Sequence, residues 1–200
     1  MADTGAPWNI PYVAGSDLVA DWPTDNQTQA EAIADALDLA NLGIGTNVVQ
    51  TLKTDIFAAN SATYTPVTGL SVTITPSSDT SKILIIGSIQ FSADSQRSVH
   101  VRIAGGNSSA YIGDAGGSRV QSVISARDVS SAYELNEAML NVTMLYLDSP
   151  ATTSSVTYDV EIRRDSAASG NVTVNRSGAT TDNDRYGRGA STLLAIEVSA

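Results

Sequence analysis

The chain has no cysteine among its 200 residues. That excludes a disulfide framework, a thiolate metal site and a cysteine nucleophile. It has a single histidine, His100. A Ser-His-Asp triad would rest on that residue alone, and no G-x-S-x-G stretch accompanies it. His100 falls at an outward position of an expected strand, where a solvated surface histidine is the expectation rather than a catalytic base. No apolar run reaches transmembrane length; the longest, around "KILIIGSIQF", is strand-sized. The expectation is a soluble protein with no membrane insertion. Basic residues are absent before Lys53, whereas Asp3, Asp17, Asp21, Asp25, Glu31, Asp35 and Asp38 precede it. Residues 1–52 therefore carry −7 of the total formal charge of −10. An acid balance of this size argues against general binding to nucleic acid or anionic membrane. Its uneven distribution divides the chain into two electrostatically different parts.

What is present begins with "MADTGAPWNIPYVAGSDLVADWPTDN". It lacks the positive start and apolar core of a signal peptide. Prolines at 7, 11 and 23 restrict it toward extended conformations and remove backbone donors. Such a stretch cannot bury Trp8, Ile10, Tyr12 and Trp22 on its own. They are expected to anchor residues 1–22 in a partner, where buried aromatic side chains contribute most. Folding back onto the chain's own β domain is the alternative.

Residues 23–45 read as a short helix. Asp25 or Thr28 can cap its start, and Thr28 with Glu31 has capping-box spacing. Gly43 and Gly45 supply the stop. Ala30, Ile33, Leu37 and Ala40 fall at spacings of three, four and three, an a/d seam of two heptads. A coil this short does not hold helices together by itself, but it helps where neighbouring domains also associate. Leucine at a with isoleucine at d leans toward three or four strands.

After Gly45 the period drops to two. Candidate strands are "NVVQTLKTDIF", "LSVTIT", "KILIIGSIQFS", "SVHVRIA", "SAYIG", "RVQSVISAR", "MLNVTMLYL", "SVTYDVEIR", "NVTVN" and "TLLAIEVS". In "SVTYDVEI", Val156, Tyr158, Val160 and Ile162 alternate with Thr157, Asp159 and Glu161. This is the half-buried antiparallel pattern. Many short strands without helices among them predict an all-β antiparallel sandwich, jelly-roll-like, over residues 46–200.

Candidate chemistry is sparse. "DNDRYG" opens like a calcium loop, but Leu193 stands where the bidentate glutamate belongs. "DAGGSR" is no phosphate loop, since no G-K-[ST] follows. Tyr111, Asp114 and Arg119 flank that loop, and Arg185 and Tyr186 lie in the other. Both sets can form receptor loops that bind a glycan; packing of the turns is the plainer role. Asp159 and Glu161 share a strand face, but the alternation makes it the wet one, so no glycosidase pair is assigned.

The strings "GAPWNIPYVAGSDLVADWP", "AEAIADALDLA" and "IGTNVVQTLKTDIF" resemble the beginning of tail-fibre and minor tail proteins of tailed bacteriophages. "VTGLSVTITPSSDTSKILI", "YIGDAGGSR", "YLDSPATTSSVTYDVEIR", "VNRSG" and "YGRGASTLLAIEV" resemble a β-sandwich domain recurrent in phage structural proteins, including those of phages of marine bacteria and cyanobacteria. The resemblance covers nearly the whole chain. It implies a virion protein with no catalysis and no cofactor. It also implies a homotrimer, attachment to a phage tail or capsid protein through residues 1–44, and a distal β domain. A short tail fibre or spike is the expected form. A capsid-surface fibre or decoration knob, or a module whose main role is binding a host surface glycan, are the alternatives.

Overall fold

The computed structural model describes residues 2–3, 11–12, 27–33, 47–93, 97–127, 137–166, 170–179 and 182–198. The chain separates into two compact units, Met1–Ile44 and Gly45–Ala200. In the first, β1 (Ala2–Asp3) pairs antiparallel with β2 (Pro11–Tyr12), so the leader forms a short ladder that its sequence did not announce. Residues 27–33 are helical, and Gln27 Nε2 donates to Glu31 Oε1 one turn on, at 2.9 Å. Ala30 and Ile33 of the expected seam lie on this helix, both exposed. Leu37 and Ala40 lie outside the described residues, as do Trp8, Ile10 and Trp22.

The second unit is a sandwich of two antiparallel sheets. Its strands are β3 (Val48–Lys53), β4 (Phe57–Ala59), β5 (Thr65–Ile74), β6 (Lys82–Ala93), β7 (Ser98–Ala104), β8 (Ile124–Arg127), β9 (Leu140–Asp148), β10 (Val156–Arg164), β11 (Val172–Val174) and β12 (Ser191–Val198). The smaller sheet has the order β5-β10-β7-β8. In the larger, β12 runs along one edge of β6 over Lys82–Ser88, and β11 continues along the same edge over Phe91–Ala93. On the opposite edge β9 pairs with Ile83–Phe91. Outside them, β3 flanks β12 and β4 flanks β11. With β3/β4 and β11/β12 each taken as one interrupted line, the sandwich has eight strands. The sheets then read 1-8-3-6 and 2-7-4-5 in chain order, the interleaved double Greek key of a jelly roll.

Period-two alternation produces the core. Ile83, Ile85, Ile89 and Phe91 of β6 face Val99, Val101 and Ile103 of β7 and Tyr158, Val160 and Ile162 of β10, all buried. The interruptions of the two broken lines meet at Asn175. It is fully buried with a left-handed backbone, φ 63°. Its Nδ2 donates to Lys53 O at 2.8 Å and to Asp55 O at 3.0 Å, the carbonyls released where β3 stops. Its Oδ1 accepts from Ser191 Oγ at 2.6 Å, at the start of β12. One amide thus satisfies two backbone carbonyls at the β3/β4 break and a side-chain hydroxyl at the start of β12.

A second polar knot closes the end of β9. Asp148 is fully buried and accepts from Tyr158 OH at 2.6 Å, Tyr146 OH at 3.0 Å and the Ser149 amide at 2.8 Å. Burial, with the Asp148 carboxylate beside it, raises Tyr146 to about 12 and Tyr158 further still. Both phenols therefore stay protonated and donate. The turn after β7 passes over this knot through Gly106, whose φ is +51°.

Two sequence expectations need correction. "SAYIG" is not a strand: Ser108–Tyr111 form a 3-10 turn. The Tyr111 ring stacks on Tyr146 with centroids 5.0 Å apart, and its hydroxyl accepts from the Leu145 amide. Aromatic packing therefore overrides the β propensity of the stretch. His100 lies on the outer face of β7 as its alternation requires, but it is not solvated: it is 8% exposed.

Candidate functional site

The outer faces of the two sheets differ in chemistry. On the smaller sheet, His100 lies beside Arg163 of β10 on one side and Ser125 of β8 on the other. Arg102 lies beside Glu161, and Ser98 beside Arg127. This charged face opens into a groove of about 980 Å³, walled by the loop that carries Gly117 to Gln121. Arg102, Arg119, Arg127 and Arg163 line it, against one carboxylate among the described residues, Asp165. Four of the chain's 11 basic residues therefore converge on one groove of a protein whose net charge is −10.

The four are not equivalent. Arg102 is committed: Nε and Nη2 both reach Glu161 Oε2 at 2.7 Å, and its guanidinium lies 3.9 Å over the Tyr64 ring. Tyr64 is held in place by a 2.7 Å hydrogen bond from its hydroxyl to Gln121 O. Burial raises its pKa, opposed by Arg102 and Arg163. By contrast, Arg119, Arg127 and Arg163 form no salt bridge among the described residues, and Arg119 and Arg127 are exposed. At the groove floor, burial and then Arg163 lower the His100 pKa, with Asp165 opposing. The imidazole is therefore neutral at pH 7. Its Nδ1 and Asp165 Oδ1 are buried without hydrogen-bond partners among the described residues, while Asp165 Oδ2 accepts from the Ser98 amide at 3.0 Å.

On the larger sheet one end of the outer face is apolar, and the other carries Thr192, Ser88, Thr143, Gln90 and Asn141. The pairings align Val48, Ile196, Leu84 and Leu147 side by side across all four lines of strand. The next row reads Gln50, Leu194, Ile86, Leu145. Leu52 is 64% exposed, Leu145 58%, Val48 50% and Leu147 48%. Leu84, Ile86, Leu194 and Ile196 are half-buried. A soluble antiparallel sheet ordinarily presents polar residues on its outer face.

The structure distributes the expected receptor-loop residues over several places. Arg119 lines the groove. Asp114 is exposed in the same loop, and Tyr111 is engaged in the stacking described above. Arg185 and Tyr186 do not line the groove and turn toward Glu137, with Arg185 Nη2 at 3.7 Å and the Tyr186 hydroxyl at 3.5 Å. The described residues contain no group of three or more acidic or histidine side chains placed to hold a metal. Sequence reasoning missed His100, Arg102, Arg127 and Arg163 as groove residues. It also missed the apolar face, although a signal for the latter was present: both parities of "ILII" and "LLAI" are apolar.

The sequence matches no protein-family model and no curated protein. Among solved structures, similar chains occur in infectious bursal disease virus. One, from the structure of the Gx strain, has 17% identity and a TM-score of 0.35, over 77% of this chain and 37% of that one. Another, the VP2 subviral particle, has 13% identity and a TM-score of 0.31, over 78% of this chain and 39% of that one. This chain therefore spans well under half the length of those it resembles. Superpositions this loose carry no argument about function, and the all-β sandwich rests on its own strand order.

Proposed function

We propose that this chain is a non-enzymatic structural protein of a tailed-bacteriophage particle. It forms a homotrimeric short tail fibre or spike, attached through residues 1–44 with the sandwich as its head. The observation that carries the reading is the apolar end of the larger sheet's outer face. Contiguous apolar patches beyond roughly 300–600 Å² are uncommon on monomers and mark association surfaces. One row of aliphatic side chains across all four lines of strand, and an adjacent row across three of them with Gln50 at its end, form such a patch. A second copy of the chain is its occupant in this reading, and the heptad spacing of Ala30, Ile33, Leu37 and Ala40 favours the same symmetry. The phage-protein resemblance of the opening strings supports placing the trimer on a virion.

Recognition of a host surface glycan is a second reading, favoured by the arginine groove on the other sheet. The virion assignment is tested by quantifying the chain in purified particles made with Trp8→Ala. Removing a buried anchor of this kind commonly weakens binding by ~2–4 kcal/mol, roughly thirtyfold or more in affinity. Depleted particles with an intact folded head are expected. Wild-type occupancy would remove Trp8 as an anchor, and absence of the wild-type chain from particles would overturn the virion reading.

A further inference from the structure

We infer that the groove on the outer face of the smaller sheet binds an acidic saccharide, a sugar chain bearing carboxylate or sulfate groups. The inference rests on the glycan-recognition reading for the ligand's source. It is independent of the trimer reading, which depends on the opposite sheet.

Charge comes first. Among the described residues, Arg119, Arg127 and Arg163 bring three cationic groups without salt bridges to a groove whose one lining carboxylate is Asp165. Guanidinium groups match carboxylate and sulfate oxygens in a planar, bidentate way. On a protein of net charge −10, such a concentration of arginine opposes the overall field. It selects an anion locally while the rest of the surface repels one.

The floor specifies more than an anion. His100 is more than nine-tenths buried, lines the groove, and leaves Nδ1 without a partner among the described residues; Asp165, lining the same groove, leaves a buried Oδ1 without one. A ligand carboxylate or sulfate accepts hydrogen bonds but cannot satisfy the Asp165 oxygen. A hydroxyl donates to the carboxylate and accepts from an imidazole N–H at once. Ligands that combine anionic groups with closely spaced hydroxyls are acidic sugars. Gln121 and the serines at 98, 118 and 125 add the short polar groups that saccharides use.

An acidic peptide, such as the chain's own leader, fits less well. β8 is an edge strand beside the groove, but peptide recognition also draws on pockets for alternate side chains. Among the described residues Val120 is the only aliphatic side chain lining the groove, and the Tyr64 ring already carries Arg102. Such a lining offers little to the apolar side chains of a peptide.

The test uses the full-length chain and isothermal titration calorimetry. The probes are a heparin hexasaccharide for sulfate, an oligogalacturonate for carboxylate, neutral maltohexaose, and a synthetic peptide of residues 1–26. One or both acidic saccharides should bind saturably, more weakly at about 300 mM than at about 50 mM salt, while maltohexaose does not bind. Arg119→Ala with Arg127→Ala, both exposed and so expected to fold, should weaken binding by at least about tenfold. Because His100 is the only histidine, its imidazole NMR signals are unique, and they should shift to saturation on binding. Unchanged affinity in the double variant, an unmoved His100 signal, equal binding of maltohexaose, binding of the peptide alone, or no saturable binding would each overturn the inference. The chain's mass, measured in parallel, keeps such a failure separate from a failure of the trimer reading.

Discussion

Replacing Asn175 with alanine removes one side chain and should loosen four strands at once. The substitution strands the buried Lys53 carbonyl, removes the partner of the part-buried Asp55 carbonyl and takes the acceptor from Ser191 Oγ. Each lost buried partner costs about 1–1.5 kcal/mol. Alanine must also hold the left-handed backbone that Asn175 adopts at φ 63°, which adds about 1 kcal/mol. The sum is about 4–5 kcal/mol, or a fall in Tm of roughly 10–15 °C for a domain of this size. Asn175→Gly keeps the backbone free of strain and should recover about 1 kcal/mol of that loss. The assay is urea unfolding followed by circular dichroism, at one fixed protein concentration, so that any association weighs equally on every variant. If Asn175→Ala stays within about 0.5 kcal/mol of the wild type, the buried amide does not join the broken lines of the larger sheet.

Glu197 makes a pH-dependent contribution. Burial opposes its ionisation, but hydrogen bonds from the Ser77 hydroxyl and amide and from Asn47 outweigh that and hold it near 2. A depressed carboxyl pKa gives stability that is present above its ordinary value of 4.5 and is lost as pH falls from there toward about 2. Discounted for screening at the sandwich end, the loss is about 1–3 kcal/mol. Urea unfolding at pH 5 and pH 3 should show a steeper fall in stability for the wild type than for Glu197→Gln, and equal slopes would remove Glu197 as the cause. Gly106→Ala would place a methyl group on Asp148 Oδ2 and 2.8 Å from Tyr158 Cε1, at a φ of +51°. A loss of about 3 kcal/mol is expected by thermal or urea unfolding, and a neutral result would mean that the turn and the Asp148 knot move independently.

The legible part of the fold was local. Alternation in "SVTYDVEI" gave β10 and the inward set Tyr158, Val160 and Ile162, because a strand with one wet face must show period two. The break after Lys53 was not legible, since its cause is Asn175, more than 100 residues further along the chain. The 3-10 turn at Tyr111 depends on a ring stacked on Tyr146, again a distant partner. The groove was illegible for the same reason: Arg102, Arg119, Arg127 and Arg163 converge only once β8, β7 and β10 lie side by side. His100 was placed on the correct face of its strand, but the sequence held no sign of the loop that walls the groove above it. The apolar face left a mark, the unbroken "ILII" and "LLAI", which length alone reduced to a strand-sized run.

The central claim is that the aliphatic rows of the larger sheet are buried between copies. Light-scattering mass of the full-length chain, taken across the micromolar range, tests it most directly, with Leu145→Asp plus Leu147→Asp as the paired variant. Both leucines are exposed on the edge strand β9, so the head should fold with aspartate there. Each aspartate removes about 1.5–3 kcal/mol of apolar burial from every interface and adds a charge to be desolvated. The account predicts three times 20.8 kDa for the wild type and the mass of a single chain for the variant at the same concentration. A wild type that remains at 20.8 kDa throughout, or a variant that keeps the trimer mass, would contradict it.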